Sequence, residues 1–410
     1  MKILFAVSGS IAAYKAYDTV RELVKAKHQV KVILTKGALQ FIKAETFHYL
    51  GASEVFSPND DFSPNLTDET ITSDGESNIR HINLRNWCDK IIIYPLSANT
   101  CAHLAAGMAN DLLQSVLLAN TKPVMIFPAM NTAMFEHPLS QKNLKTLESL
   151  PNYYIHPTTT GLLACGDEGQ GKLASPAQAL ELIETWHEHP ASSRKILITT
   201  GATQAPLDPV RYLTNPASGK TGYFLAKEFL AKGEQVHVIS GHLAAPLFQH
   251  LESHPLFKLS IIKTTNEMKS LVLQEFPSSD TYISAAAICD LEFEMSKSKI
   301  KKDKFEGSLP FKNASDILAL VLKEKSKKQK VIGFAAETNI NEKLLNQKWQ
   351  NKPVDLLIGN PIDNGIKSKV EQGFGTDDGE YWFFHSGELQ KKTSLTKKSL
   401  AEEIYQWSVQ

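Results

Sequence analysis

The chain has 410 residues, 42% hydrophobic and 21% charged, which calls for two or three domains and excludes a disordered or fibrous protein. Lys+Arg and Asp+Glu both number 44, so no overall field draws it to nucleic acid or to an anionic membrane. The four cysteines (Cys88, Cys101, Cys165, Cys289) give no disulfide framework and no CxxC pair, and no apolar stretch approaches the roughly 20 residues that span a bilayer. The expectation is a soluble, cytoplasmic protein.

In chain order, Ile3–Val7 reads as a buried strand that stops at Ser8-Gly9-Ser10, with a charged helical pattern following through about Lys27. Val30–Leu34, Ile91–Tyr94 and Val124–Phe127 are further strand-length apolar runs. Strands separated by helix-length segments predict an α/β unit with a parallel sheet wrapped on both faces. Between Ser57 and Asn78 the chain is polar and acidic without periodicity, which reads as a long surface loop or insertion. Trp186–Arg194 loses the pattern and places a boundary there, giving domains over 1–188 and 195–410. The rhythm restarts at Lys195–Thr200, with Val236–Ser240, Tyr282–Ala286, Val331–Phe334 and Leu356–Ile358 as matching strands. Tyr381–His385 reads as a late strand beside a hairpin.

The turn at Ser8–Tyr14 has the chemistry of a phosphate or ligand loop, because small residues admit a close backbone and a helix N-terminus offers unpaired N–H groups. Pro95–Thr100, Ala106–Asp111, Pro128-Ala129-Met130-Asn131 and Ala164-Cys165-Gly166-Asp167 add hydroxyls, amides and a thiol in loops that follow strands. Taken singly, His81 reads as a surface histidine, Asn131 as a turn residue and Cys165 as an inert apolar group. The glycines Gly161, Gly166, Gly169 and Gly171 argue instead for a lid that carries a reactive group.

Together these segments resemble the homo-oligomeric flavin-containing cysteine decarboxylases, of the phosphopantothenoylcysteine decarboxylase type, over residues 1–180. The resemblance implies a flavodoxin-like fold that binds FMN through Gly9, Ser10, Ile11, Thr35, Ser97, Ala98 and Thr100. It also implies His81 as the active-site histidine, Asn131 as the binder of the substrate carboxylate and Cys165 as the proton donor. The implied chemistry is oxidative decarboxylation, since loss of CO2 from a cysteine carboxylate leaves a carbanion with no carbonyl to spread its charge.

In the second half, Ser218-Gly219-Lys220-Thr221 lacks the earlier glycine of a P-loop, where Thr214 stands, and is not one. The Lys297–Lys304 run has no interleaved aromatics that would suit nucleic acid. Asp208-Pro209-Val210-Arg211-Tyr212, Asn215, Lys299-Ile300-Lys301-Lys302, Gly333–Thr338 and Asp355–Asn360 resemble phosphopantothenate–cysteine ligase, over roughly 195–400. The resemblance implies a Rossmann-like domain that activates phosphopantothenate with CTP and Mg2+ as an acyl-cytidylate. The nucleotide would lie on Ser284, Ala285, Ala286, Asp290, Ser315, Asp316, Ile317, Leu318 and Phe334. Lys299, Lys348 and Lys352 would supply cations, and Asn215 would bind the acyl intermediate. No metal ligands are legible.

The domain order is that of the bacterial fused enzymes, which implies small-molecule partners and decarboxylase trimers linked by ligase dimers into a dodecamer. Departures from the ligase pattern at Ala202, Ala205, Thr221, Cys289, Leu291 and Ser315 keep a degenerate ligase half as one rival reading. A flavin-binding subunit without turnover is the other, and the presence of His81, Asn131 and Cys165 speaks against it.

Overall fold

The computed structural model describes residues 1–61, 79–162, 166, 168–186, 194–301, 308–364, 371–372 and 376–410. The chain divides into two compact units, Met1–Glu184 and Thr185–Gln410. Residues 62–78 of the acidic stretch, 187–193 of the boundary segment, Cys165, Asp167 and Lys302–Lys304 lie outside the described residues.

The front unit is built on six strands: β1 (Lys2–Val7), β2 (Gln29–Leu34), β3 (Glu54–Phe56), β4 (Lys90–Leu96), β5 (Val124–Pro128) and β6 (Tyr153–Ile155). They pair in the order β3-β2-β1-β4-β5-β6, every neighbour parallel. Parallel strands covered on both faces have no wet side, which is why β1 and β4 are near-continuous apolar runs. The helices are α1 (Lys15–Lys25), α2 (Ala44–Tyr49), α3 (Arg80–Trp87), α4 (Ala98–Ala105), α5 (Leu112–Leu118), α6 (Thr132–Glu136), α7 (Pro138–Glu148) and α8 (Pro176–Thr185). α1 ends at Lys25, two residues before the expected Lys27, where Lys27 takes a positive φ of 67°. One core layer gathers Leu4, Ala6, Ile91, Ile93 and Ile126 of the sheet against Leu113, Val116 and Leu144 of α5 and α7. An antiparallel hairpin, β7 (Thr159–Leu162) with β8 (Glu168–Lys172), stands apart from the sheet. The unit is a doubly wound α/β fold with strand order 3-2-1-4-5-6.

The rear unit repeats the plan. β9 (Lys195–Thr200) is followed by a small antiparallel pair, β10 (Gln204–Pro206) and β11 (Tyr212–Thr214), then α9 (Lys220–Ala231), β12 (Gln235–Gly241), β13 (Phe257–Ile262), α10 (Thr265–Glu275) and β14 (Thr281–Ser284). A second small pair, β15 (Leu291–Phe293) with β16 (Phe311–Asn313), precedes α11 (Ile317–Glu324), β17 (Lys330–Glu337), α12 (Glu342–Asn351) and β18 (Leu356–Pro361). β19 (Asp363–Asn364) and β20 (Glu371–Gln372) pair briefly before β21 (Asp378–His385), β22 (Glu388–Thr396) and α13 (Lys397–Val409). The sheet order is β13-β12-β9-β14-β17-β18-β21-β22, parallel except for the antiparallel β21–β22 hairpin at one edge.

Side chains alternate faces along β9. Ile196 and Ile198 pack with Leu225, Phe229, Leu400 and Ile404 of α9 and α13, whereas Leu197 joins Met268, Val272, Ile317 and Val321 of α10 and α11. β14 ends at Ser284, short of the expected Ala286, although Ala285 and Ala287 still donate to Thr199 and Gly201 at the end of β9.

In both units the six parallel strands follow the relative order 3-2-1-4-5-6. A crevice forms where neighbouring crossovers run to opposite sides, beyond the carboxyl ends of strands 1 and 4.

Candidate active sites

The front crevice holds a cavity of about 580 Å³ lined by the loops after β1, β4 and β5, the start of α1 and the end of β8. Gly9, Ser10, Ile11, Ser97, Ala98 and Asn131, all singled out from the sequence, are among its lining residues. Thr35 and Thr100 lie beneath the lining, where each hydroxyl oxygen holds a loop. Thr35 Oγ1 accepts from Ala38 N (3.3 Å) and Thr100 Oγ1 accepts from Ser97 Oγ (3.1 Å).

Ser8, in the foreseen turn, and Gly37, which was not foreseen, make the shape. Ser8, fully buried, donates from Oγ to Pro95 O (2.8 Å) and accepts from Ser97 N (2.7 Å), tying the end of β1 to the end of β4. Gly37 meets Gly9 backbone to backbone, so a Cβ on Gly9 would stand 2.8 Å from Gly37 Cα. Side chains at either position would pry apart the loops that frame the cavity.

Asn131 caps α6, its Oδ1 accepting from Ala133 N at 2.9 Å. The β8 strand docks beside it. Met130 N donates to Gly171 O (3.1 Å) and Thr132 Oγ1 donates to Gln170 O (2.8 Å). Gly171 has φ +110°, and a Cβ there would lie 2.3 Å from Met130 O. These contacts anchor one side of the hairpin whose connection contains Cys165. Burial pushes the thiols of Cys88 and Cys101 up to about 11, so neither offers a thiolate near neutral pH.

His81 sits in the first turn of α3, partly buried and outside the lining of this cavity. Its Nδ1 lies 2.8 Å from Asp61 Oδ1 and 3.0 Å from Oδ2, and its backbone N–H donates to Asp61 Oδ1 at 3.2 Å. No motif pointed to Asp61, since only folding brings the two residues together.

In the rear unit a smaller cavity of about 110 Å³ opens at the carboxyl ends of β14, β17 and β18. Of the foreseen nucleotide residues, Ala285, Ala286 and Phe334 line it, and Ser284 is buried at the end of β14 beside them. Thr221, Asn360, Tyr381 and Lys397 line it too and were not foreseen. Asn215 donates from Nδ2 to Ala287 O (3.2 Å) and Ile288 O (3.0 Å), fixing the loop that follows β14.

Asp316 is the N-cap of α11, accepting from Ala319 N at 3.0 Å, and its other oxygen lies 2.6 Å from Lys352 Nζ. Ser315 Oγ accepts from Lys269 Nζ at 3.1 Å; Ile317 is wholly buried and Leu318 packs beside the same core. Lys348 lies on α12 but Lys352 falls just past its end, and Lys348 pairs with Glu337 at 2.6 Å. Both lysines therefore have carboxylate partners in this state. Asp290 is exposed before β15.

Lys299 is exposed on a loop held by a clasp. Asp208 accepts from Arg211 Nε (3.0 Å) and Nη2 (2.6 Å) and from Ile300 N (3.1 Å), while Arg211 Nη2 also donates to Ile300 O (2.8 Å). The Arg211 guanidinium holds the Asp208 carboxyl well below the usual carboxylate range. Gly219, with φ +79°, caps α9, and Lys220 pairs with Asp377 at 2.7 Å, an arrangement unlike a P-loop. Among the described residues no group of three or more His, Cys, Asp or Glu side chains is placed to hold a metal. No described helix is long and apolar enough to cross a membrane.

Two doubly wound units, each with a small-residue cavity at the carboxyl edge of its parallel strands, define a two-site protein of the cofactor- and nucleotide-binding α/β class. Residues 1–188 match the Flavoprotein family, and residues 191–410 match the DNA/pantothenate metabolism flavoprotein C-terminal domain. The chain belongs to the CoaBC family of coenzyme A biosynthesis bifunctional proteins. It is 34% identical over 411 residues to the Bacillus subtilis (strain 168) member and 33% identical over 411 residues to that of Escherichia coli (strain K12). Each alignment covers 98% of this chain and 95% of the relative.

Among solved structures, a PPC decarboxylase mutant complexed with pantothenoylaminoethenethiol is 30% identical with a TM-score of 0.39, over 44% of this chain and 95% of its own. The C-terminal domain of a CoaBC protein is 26% identical with a TM-score of 0.41, over 53% and 95% respectively.

Proposed function

We propose that the rear unit joins cysteine to 4′-phosphopantothenate with CTP, through an acyl-cytidylate, and that the front unit decarboxylates the product to 4′-phosphopantetheine with FMN. The functional halves are residues 1–188 and 195–410. The observation that carries the front assignment is the cavity of about 580 Å³ at the switch point, framed by the Gly9–Gly37 contact. Its lining of Gly9, Ala12, Ala98 and Ala129 leaves room for a flat ring system, and Ser10 and Ser97 bring hydroxyls beside helix N-termini that suit a phosphate. These residues fit FMN, which when bound supplies the two-electron chemistry that no side chain offers.

The chain's own side chains bind and move protons. Asn131, oriented through its Oδ1, holds the substrate carboxylate. His81 is the active-site histidine. Asp61 against Nδ1 sets the ring and directs Nε2 to the proton being transferred. Cys165, outside the described residues, returns a proton to the product.

In the rear unit the nucleotide lies over Ser284–Ala286 and Phe334, between Asp290 and the α11 N-terminus at Ser315–Leu318. Lys299, Lys348 and Lys352 balance charge as it develops on the phosphates. For the last two, the triphosphate competes with Glu337 and Asp316. Asn215 positions the loop against which the acyl group rests, and Mg2+ arrives with the triphosphate. The working protein is a cytoplasmic dodecamer of trimeric front and dimeric rear units.

The deciding experiment supplies the purified full chain with 4′-phosphopantothenate, cysteine and CTP, and records its absorption spectrum and product masses. A flavin spectrum and the mass of 4′-phosphopantetheine are expected. A colourless protein that FMN does not reconstitute overturns the decarboxylase half. Absence of acyl-CMP when cysteine is withheld, with CTP or ATP, overturns the ligase half.

A further inference from the structure

Among the described residues, two cations that line the front cavity have no carboxylate to answer them. Lys15 opens α1 and Lys172 closes β8, and both line the cavity. Its described lining residues include no Asp or Glu. Among the described residues neither ammonium makes a hydrogen bond or an ion pair. The two sense one another: burial first, and then the charge of Lys172, hold the Lys15 ammonium below its ordinary range. The second head group lies against Gly161, where a Cβ would stand 3.0 Å from Lys172 Nζ. Two like charges facing a half-enclosed space repel, and the arrangement costs stability until an anion enters.

We infer that Lys15 and Lys172 together form a subsite for a phosphate monoester, whose two negative charges match the two lysines. The inference rests on the flavin-decarboxylase reading, which brings two such groups to this cavity: the phosphate of FMN and that of the phosphorylated pantetheine-like thiol. A monoester carries nearly two charges near neutral pH, and ammonium groups hold it as point charges without demanding one geometry. An uncharged pantetheine arm gains nothing from the pair, so the subsite separates phosphorylated ligands from their dephosphorylated twins.

The test compares the full-length protein with Lys15→Gln, Lys172→Gln and Lys172→Arg. One arm measures binding of FMN against riboflavin to flavin-stripped protein. The other measures 4′-phosphopantetheine against pantetheine on flavin-loaded protein, by calorimetry. In one arm each glutamine variant lowers the preference for the phosphorylated ligand by roughly tenfold or more, the worth of a charge-assisted hydrogen bond. Lys172→Arg retains most of that preference. A change confined to the FMN arm assigns the subsite to the cofactor, and a change confined to the pantetheine arm assigns it to the substrate. Preferences that stay within about threefold of the parent in both arms, at unchanged melting temperature, overturn the subsite. These equilibria do not require turnover, so a failure of the decarboxylase reading shows separately, as absent product from a protein that still prefers phosphorylated ligands.

Discussion

At the scale of single residues, the proposed front site depends on side chains whose partners are remote in sequence. Asp61 is 20 residues from His81 yet holds its Nδ1. If His81 moves a proton, its orientation matters as much as its presence. Asp61→Asn, which keeps the shape but weakens the hold on the ring, lowers decarboxylation more than tenfold, a share of the roughly hundredfold or more that a positioned acid–base group contributes. Single-turnover rates at equal flavin content measure this. Cys165→Ser still releases CO2 but stalls before the final protonation, because a hydroxyl is a far weaker acid than a thiol. A product two hydrogens lighter than phosphopantetheine then accumulates in the mass spectrum, and normal product at the parent rate would remove Cys165 from its role. In the rear unit Lys299→Gln suppresses acyl-CMP by roughly a hundredfold, the usual consequence of removing one stabilising charge or donor from such a site. Asn215→Asp instead allows acyl-CMP to form but impairs its onward use, since aspartate sets a negative charge beside a phosphodiester. Quenched reactions without cysteine, and then with it, distinguish the two.

At the scale of elements, loops are placed by contacts that only small or buried groups permit. Gly37→Val drives a side chain into Gly9, whose Cα would lie 3.0 Å from the new Cβ, and so opens the framing loops. Flavin content of the purified protein falls while acyl-CMP formation persists, and a parent-like flavin spectrum would show that the contact is dispensable. Lys90, at the amino end of β4, is 6% exposed and donates from Nζ to Ile183 O at 2.9 Å. Burial lowers its pKa to about 8. The unfolded chain, with its lysine near the ordinary value of about 10.4, holds more protons between those limits, so this group makes stability rise with pH there. Lys90→Met removes that rise, worth on the order of 2–3 kcal/mol across the window. Denaturant unfolding of the parent and the variant at pH 7.5 and 10 reads the difference, and parallel pH profiles would contradict it.

At the scale of the whole molecule, one strand order is used twice, and each copy places its cavity at the equivalent edge. The chemistry of the two units is therefore expected to separate within one chain. His81→Asn abolishes decarboxylation and leaves acyl-CMP formation and cysteine ligation at the parent level. Phosphopantothenoylcysteine then accumulates from phosphopantothenate, cysteine and CTP. Loss of both activities at unchanged melting temperature would refute separability.

The amino-acid sequence by itself determined the buried strands β1, β2, β4, β5, β9, β12, β14, β17 and β18, because a strand enclosed on both faces is predominantly apolar along its length. It also determined the small-residue loops after β1, β4 and β5, since close backbone approach leaves few residue types admissible. The edge strands β3, β6 and β13 escaped notice: Glu54–Phe56 and Tyr153–Ile155 are only three residues long, and Phe257–Ile262 mixes lysine and serine into its run. A strand packed on one side carries no continuous apolar mark. Strand order, the Ser8 bridge between β1 and β4, the Gly9–Gly37 contact, the Asp61–His81 pair and the Asp208–Arg211 clasp on Ile300 were decided by tertiary structure alone. In each, the partner's side chain or backbone becomes a neighbour only after distant segments pack, and local composition records burial and turn chemistry but not which distant residue will arrive.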